Sequence, residues 1–203
     1  MPRVSRAQTE ANHQAIEHAA SRLFRERGLD GVSVADVMAA AGLTHGGFYA
    51  HYPSKDALAA CACEAAFTFA REKWRRRIAA AASSSAAKSS IAAGYLKADY
   101  CNPAVATCPT ATLVTDVARA TPEHPIRKAY LDGVREQINT LSSLNGSSDP
   151  LVNRADACVQ LATMMGALLL ARATHGDPLA DEIAQAARAH LAKAPNTGKG
   201  DRK

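Results

Sequence analysis

Between Ser33 and Leu58 the chain sets out three helix starts, Ser33, Thr44 and Ser54, with a glycine, Gly42, between the first two. Neither a strand nor one continuous helix accommodates that punctuation. Ser33 is a helix N-cap type, and Asp36 three residues later completes an acidic form of the capping box. Val34, Val37 and Met38 recur at i, i+3 and i+4 and give the short helix one apolar face. Gly42 falls where that helix must stop, because glycine enters the left-handed region without a Cβ clash. Leu43 can fill the gap behind it, and Thr44 can cap the helix that follows. The spacing is that of a helix-turn-helix, whose second helix lies in a DNA groove.

The second helix is expected over His45 to about His51. Gly46 and Gly47 cost it about 1 kcal/mol each relative to alanine. They read either as a loop or as a place where backbone comes close to phosphates and base edges. Phe48 is expected to point inward. Thr44, His45, Tyr49 and His51 then remain for DNA, with the backbone of Gly46 and Gly47 near base edges. The hydroxyls of Thr44 and Tyr49 suit phosphate. Lys55 can neutralise a phosphate at the start of the next helix. Ser33, at the mouth of the first helix, completes the candidate DNA-binding set.

Upstream, Ile16, Ala19, Ala20, Leu23 and Phe24 mark one helical face that Gly28 ends. Three short helices from about residue 8 to residue 51 make a minimal DNA-binding bundle. The whole chain carries a net charge of +5, which suits a nucleic-acid partner. Residues 1–55 hold six basic and five acidic residues, a net of only +1, so the placement of charge matters more than its sum. The run from Arg71 to Arg77 is rich in arginine, but a helix beginning at Ser54 carries it roughly 30 Å from the DNA end. It reads as a solvated face.

The stretch Gly42-Leu-Thr-His-Gly-Gly-Phe-Tyr-Ala-His-Tyr-Pro-Ser-Lys-Asp-Ala-Leu58 resembles the signature of the TetR family of bacterial transcriptional repressors, roughly G-x-S-x-G-x-x-Y-x-Y/H-F-x-S/N-K-E-x-L. Thr44 stands for the usual serine, and Gly47 where a larger residue is common. These departures bear on which operator is read. The resemblance implies a homodimer, an all-α fold with a C-terminal helical ligand-sensing and dimerisation domain, and release of DNA when an inducer binds. The expected division is a helix-turn-helix domain at 1–52, a regulatory and dimerisation domain at 53–194, and a disordered tail at 195–203.

Beyond the motif the sequence reads as helices throughout: Ala57 to Ala82, Ser89 to about Tyr100, Thr110 to Arg119, Pro125 to Leu144, Leu151 to Thr174 and Leu179 to Ala192. Ala82 to Ala86 reads as a linker. The last two helices are apolar nearly all round and carry small residues, Ala162, Gly166, Ala167, Ala171 and Ala173. They read as an intrachain core or as half of a four-helix dimer interface, and the family resemblance favours the dimer. No uninterrupted run of 18 apolar residues and no apolar signal core occurs, so a cytoplasmic protein without a membrane span is expected. Five cysteines without a secreted pattern fit reduced thiols.

Cys108 precedes Pro109, which favours the first helical position, so the thiol is expected at an N-cap. The helix dipole favours thiolate there. The segment from Cys108 to Arg119 also resembles a TetR subgroup that includes the electrophile-sensing repressor of N-ethylmaleimide reductase. That subgroup carries Gly-Cys at this helix start, and Thr107 replaces the glycine here. Arg172 stands where that repressor has a helper lysine. Two readings remain, a sensor thiol and a buried inert one. Phe67, Trp74, Tyr95, Tyr100, Tyr130, Met164 and His175 are candidate walls of a noncovalent inducer pocket, or plain core. Cys61 and Cys63 sit roughly 200° apart on a helix and do not face one metal. No metal, cofactor or enzymatic activity is therefore expected. The alternative is a cysteine hydrolase pairing Cys108 with His124 or His175.

Overall fold

The computed structural model describes residues 5–96 and 108–192. Among them no strand occurs. The elements are α1 (Arg6–Arg27), α2 (Val34–Ala40), a 3₁₀ helix (His45–Ala50), α3 (Lys55–Ala79), α4 (Ser84–Tyr95), α5 (Pro109–Thr112), α6 (Val114–Arg119), α7 (Pro125–Ser143), α8 (Pro150–Ala173) and α9 (Pro178–Ala192). The fold is all-α with a helix-turn-helix near its N-terminus. The tail at 195–203, Tyr100 and Thr107 lie outside the described residues.

The chain divides into two compact units, Met1–Lys73 with Cys101–Gln137 and Trp74–Tyr100 with Ile138–Lys203. In the first, Ile16, Leu23 and Phe24 of α1 share a core with Val37, Met38, Phe48, Leu58, Phe67, Leu113 and Ile126. The buried positions of α1 recur at three- and four-residue intervals, so one stripe of the helix meets this core. Gly28 ends α1 at φ 75°, and its N–H bonds back to Phe24 O.

The single helix expected over Thr110–Arg119 is two short ones. Leu113, at φ −103° and ψ 0°, closes α5 and opens α6. Thr110 turns its hydroxyl to Gln137 Oε1, and the Thr112 hydroxyl bonds back to Cys108 O. Backbone bonds persist on both sides of the break, from Thr112 N–H to Cys108 O and from Val117 N–H to Leu113 O.

In the second unit α9 packs on both α8 and α4. Ala180, Ala184 and Ala187 of α9 are buried, and their small size permits close helix approach. α4 begins at Ser84, five residues before the expected start at Ser89, so the expected linker is shorter. Ser83 is the reason: its hydroxyl accepts the N–H of Ala86 and caps the serine-rich first turn. α4 ends at Tyr95 rather than near Tyr100. Leu96 leaves helical geometry at ψ 43°, and its carbonyl accepts from Arg188 at 2.8 Å.

The basic run is engaged within the chain. Arg71 pairs with Glu136, Lys73 lies 4.8 Å from the Phe69 ring centre, and Arg77 donates to Ser90 O. By length and mean hydropathy α8 is apolar enough to cross a membrane. It reaches that hydropathy through alanines and leucines broken by polar residues, which is why the sequence shows no continuous apolar run.

Candidate nucleic-acid interface

α2 is fixed at both ends by its own sequence. The Ser33 hydroxyl accepts from Asp36 N–H at 3.1 Å, and the Asp36 carboxylate accepts from Ser33 N–H at 2.8 Å and from the Ser33 hydroxyl at 2.6 Å. This is the capping box expected from the sequence. The Ser33 side-chain hydrogen bond, then its backbone one, hold the Asp36 carboxyl below the usual carboxylate range. At the other end Gly42 adopts φ 72°, its N–H bonds to Ala39 O, and Leu43 N–H bonds to Met38 O. That pair of bonds is a Schellman motif, which satisfies carbonyls a helix end would leave open. Ser33 therefore engages its hydroxyl within the box and holds the start of α2.

The reading segment is not the regular α-helix expected. His45–Ala50 is a 3₁₀ helix, and the Thr44 hydroxyl makes no cap bond. The Thr44 carbonyl accepts from Gly47 N–H instead. Two adjacent glycines lower α-propensity, and six residues are too few to pay the nucleation cost alone. The segment is held from beneath. Phe48 is fully buried, Tyr52 nearly so, and their rings stack at 6.1 Å. His13 of α1 stacks on Tyr52 at 4.6 Å, and its Nε2 lies 3.1 Å from the Tyr52 hydroxyl. Burial first, then the negative charge of Glu17, Cys61 and Glu10, pushes the Tyr52 phenol well above its ordinary range. The hydroxyl thus stays protonated and shares one hydrogen bond with His13 Nε2, its direction set by the imidazole tautomer. The sequence reading did not identify His13 or Tyr52 as positioning residues. The i, i+4 spacing of Phe48 and Tyr52 was the available signal for the second.

With Phe48 and Tyr52 facing inward, the opposite face is free. Thr44, His45 and Gly46 are exposed, Tyr49 is 72% exposed, and Gly47 and His51 are half-buried. An ideal Cβ at Gly46 would meet nothing within 4 Å, so the backbone there is open. Lys55 is the first residue of α3, and Ser54 caps that helix by accepting Ala57 N–H at 3.1 Å. A hydroxyl, an imidazole, an open backbone and a phenol thus share one short exposed segment, followed by a lysine at a helix N-terminus. Such groups contact phosphates and base edges.

The candidate sensor residues fall in both units. Cys108 is buried at the N-cap of α5, with Pro109 at the first helical position as expected. It lies within electrostatic range of Arg25 and of Tyr130. Burial lowers the Arg25 pKa, and the charges of Glu26 and Cys108 oppose that shift. Arg172 belongs to the second unit. Of the candidate pocket walls, Phe67 and Tyr130 meet edge to face at 5.7 Å in the first unit. The Tyr130 hydroxyl donates to Thr110 O at 2.6 Å. Trp74 and Met164 are buried and Tyr95 half-buried in the second unit, and His175 is exposed. His124 uses Nδ1 to accept Ile126 N–H, and its Nε2 lies 3.5 Å from Asp56. Both ring nitrogens are thus engaged away from the Cys108 thiol.

One contact had no local signal in the sequence. Asp116 of α6 accepts Leu29 N–H at 2.9 Å, joining residues 87 apart just past the end of α1. Arg127 donates to Val117 O and Ala120 O and holds the end of α6.

A buried anchor, an exposed polar reading face and a capped supporting helix define a helix-turn-helix DNA-binding regulator of transcription. Residues 16–61 match the family of bacterial regulatory proteins, tetR family, so the reading head of this chain is of tetR type. Among solved structures, the fold resembles Escherichia coli NemR in its reduced form, at TM-score 0.74 and 19% identity, covering 89% of this chain and 95% of that one. It resembles a TetR regulator from Chloroflexus aurantiacus J-10-FL at TM-score 0.76 and 24% identity, covering 92% and 94%. A TetR-family regulator from Cytophaga hutchinsonii gives TM-score 0.76 and 19% identity over 94% and 97%. No curated protein matches.

Proposed function

We propose that the chain is a cytoplasmic, homodimeric repressor that residues 1–52 dock on operator DNA and that residues 53–194 release from it. The observation that carries this reading is the pairing of fully buried Phe48 with 72%-exposed Tyr49 on one six-residue helix. A side chain as large as tyrosine is left outside, beside Thr44, His45 and Gly46, where DNA is its natural partner. Dimerisation runs through α8 and α9. Leu151, Val152, Val159 and Leu170 of α8 and Leu179 of α9 are exposed, and Gly166 has open space over its Cα. Apolar and small residues at three- and four-residue intervals suit an isologous four-helix seam. The same pairing accounts for the apolar face of α8 without a membrane.

Release follows from a small-molecule inducer or from oxidation or electrophilic modification of Cys108. The thiol opens α5, α5 continues into α6, and Asp116 of α6 holds the N–H of Leu29 behind the reading head. A group added at Cys108 displaces packed atoms, and that displacement reaches α1 through Asp116. Arg25 is the cation within electrostatic range of this thiol.

The test is selection of duplex fragments from the source genome, then anisotropy titration of a recovered fragment at several salt concentrations. Sequence-preferring, salt-sensitive binding is expected. Failure to retain any duplex sinks the reading. Release by peroxide or N-ethylmaleimide is expected for the wild type and lost in Cys108→Ser. An unchanged dose response in that variant removes the thiol and leaves the noncovalent inducer.

A further inference from the structure

We propose that α1 is itself part of the DNA contact. A groove of about 310 Å³ runs between Thr9 and Asn12 of α1 and Thr44, Gly47 and His51 of the reading segment, and it seats one backbone phosphate and its sugar. The inference rests on the DNA-reading role proposed above. Three observations carry it.

The groove is continuous with the reading face, because Thr44, Gly47 and His51 belong to both. A duplex laid against Tyr49 and Gly46 brings its backbone to the rim. The described residues lining the groove include no carboxylate, so nothing there repels an anion. The polar inventory also fits. Asn12 accepts from Gln8 Nε2 at 2.9 Å, which fixes its amide oxygen along α1 and leaves the NH₂ as its donor side. The Thr9 hydroxyl donates to Ser5 O at 3.2 Å. Thr9 therefore offers its methyl group, as Met38, Leu43 and Ala50 offer carbon. Carbon walls with an amide donor and an imidazole at the rim suit a deoxyribose and its phosphate. A contact of this kind fixes register without reading sequence.

The experiment uses the full-length protein, a duplex recovered by selection and a scrambled duplex of equal length. Asn12→Ala is expected to weaken binding about tenfold, the loss of one hydrogen bond to a charged group, and equally on both duplexes. Asn12→Lys is expected to tighten binding and to steepen the dependence of log K on log salt by about 0.9. Gln14→Lys, two residues on and facing elsewhere, is the control and is expected to leave the slope as it was. Ethylation of one phosphate per half-site should impair wild-type binding and cost Asn12→Ala little. Should the Asn12 variants keep wild-type affinity and slope while Tyr49→Phe weakens binding, α1 is not a DNA contact and the reading head stands. Should Tyr49→Phe also bind as the wild type, the DNA-reading role of this face fails, and this proposal with it. Unchanged circular dichroism of each variant separates contact loss from unfolding.

Discussion

α2 and the 3₁₀ helix after it are nearly equal in length, seven and six residues, yet they are held in opposite ways. α2 is secured by neighbours in the sequence, with a capping box at Ser33 and Asp36 and a Schellman turn at Gly42 and Leu43. The 3₁₀ helix has no side-chain cap and two glycines near its start. Phe48, and Tyr52 just beyond its end, fix it by packing on α1 and the core. The difference separates support from recognition. An element anchored from below by large rings can vary its outer face without losing its place.

Phe48→Ala is the strongest way to break this comparison. Removing a fully buried ring is expected to cost about 3–5 kcal/mol. Hydrogen exchange should show protection lost first over residues 45–52 while Val34–Ala40 keeps its own. Equal loss in both segments would mean that α2 depends on the reading segment as much as the reverse. Gly42→Ala acts on the other side. No neighbour lies within 4 Å of an added Cβ, so the cost is backbone strain at φ 72°, about 1–2 kcal/mol. A thermal melt of that variant unchanged from wild type would show that the turn is not held in the left-handed region.

The same contrast explains what the sequence could show. Ser33, Asp36, Gly42 and Leu43 act within a few residues of each other, so capping and stop signals exposed α2 completely. Phe48 was legible as an inward residue because its neighbours were polar or glycine. The 3₁₀ geometry was not legible, because it follows from a balance between weak propensity and packing on α1. His13 on Tyr52 and Asp116 on Leu29 join positions 39 and 87 residues apart, and no spacing rule reaches that far. The break at Leu113 was hidden because no glycine or proline marks it. Cys108 at its N-cap was legible, since Pro109 follows directly, whereas its neighbour Arg25 was not.

Ser33→Ala tests how local the support is. Loss of an N-cap is expected to cost about 1 kcal/mol. The effect also has a pH signature. The Ser33 side-chain bond, then its backbone bond, lower the Asp36 pKa below its ordinary 3.8, so the stabilisation is fully present above that value. It is lost as pH falls through the lower folded value, when the carboxyl protonates and ceases to accept two bonds. Amide chemical shifts of Val34–Ala40 followed on acidification should report this in the wild type, with a midpoint that moves to higher pH in Ser33→Ala, which keeps only the backbone bond. Identical acid titrations in the two proteins would place the stabilisation elsewhere.

Gly46→Ala is expected to have the smallest effect on folding and the opposite sign. The residue is not at positive φ, and an added Cβ meets nothing within 4 Å. Alanine restricts the unfolded chain more than glycine does, so the head should gain about 0.4–1 kcal/mol. The methyl group points into the open space where the proposed interface puts DNA, and operator affinity should fall even as the melting temperature rises. Stability and binding moving apart is what an element anchored from below and selected from above must show. A variant that melts higher and binds the selected duplex as tightly as the wild type would move the closest approach of DNA away from Gly46. It would also return the two glycines to the simpler role of loosening a short helix.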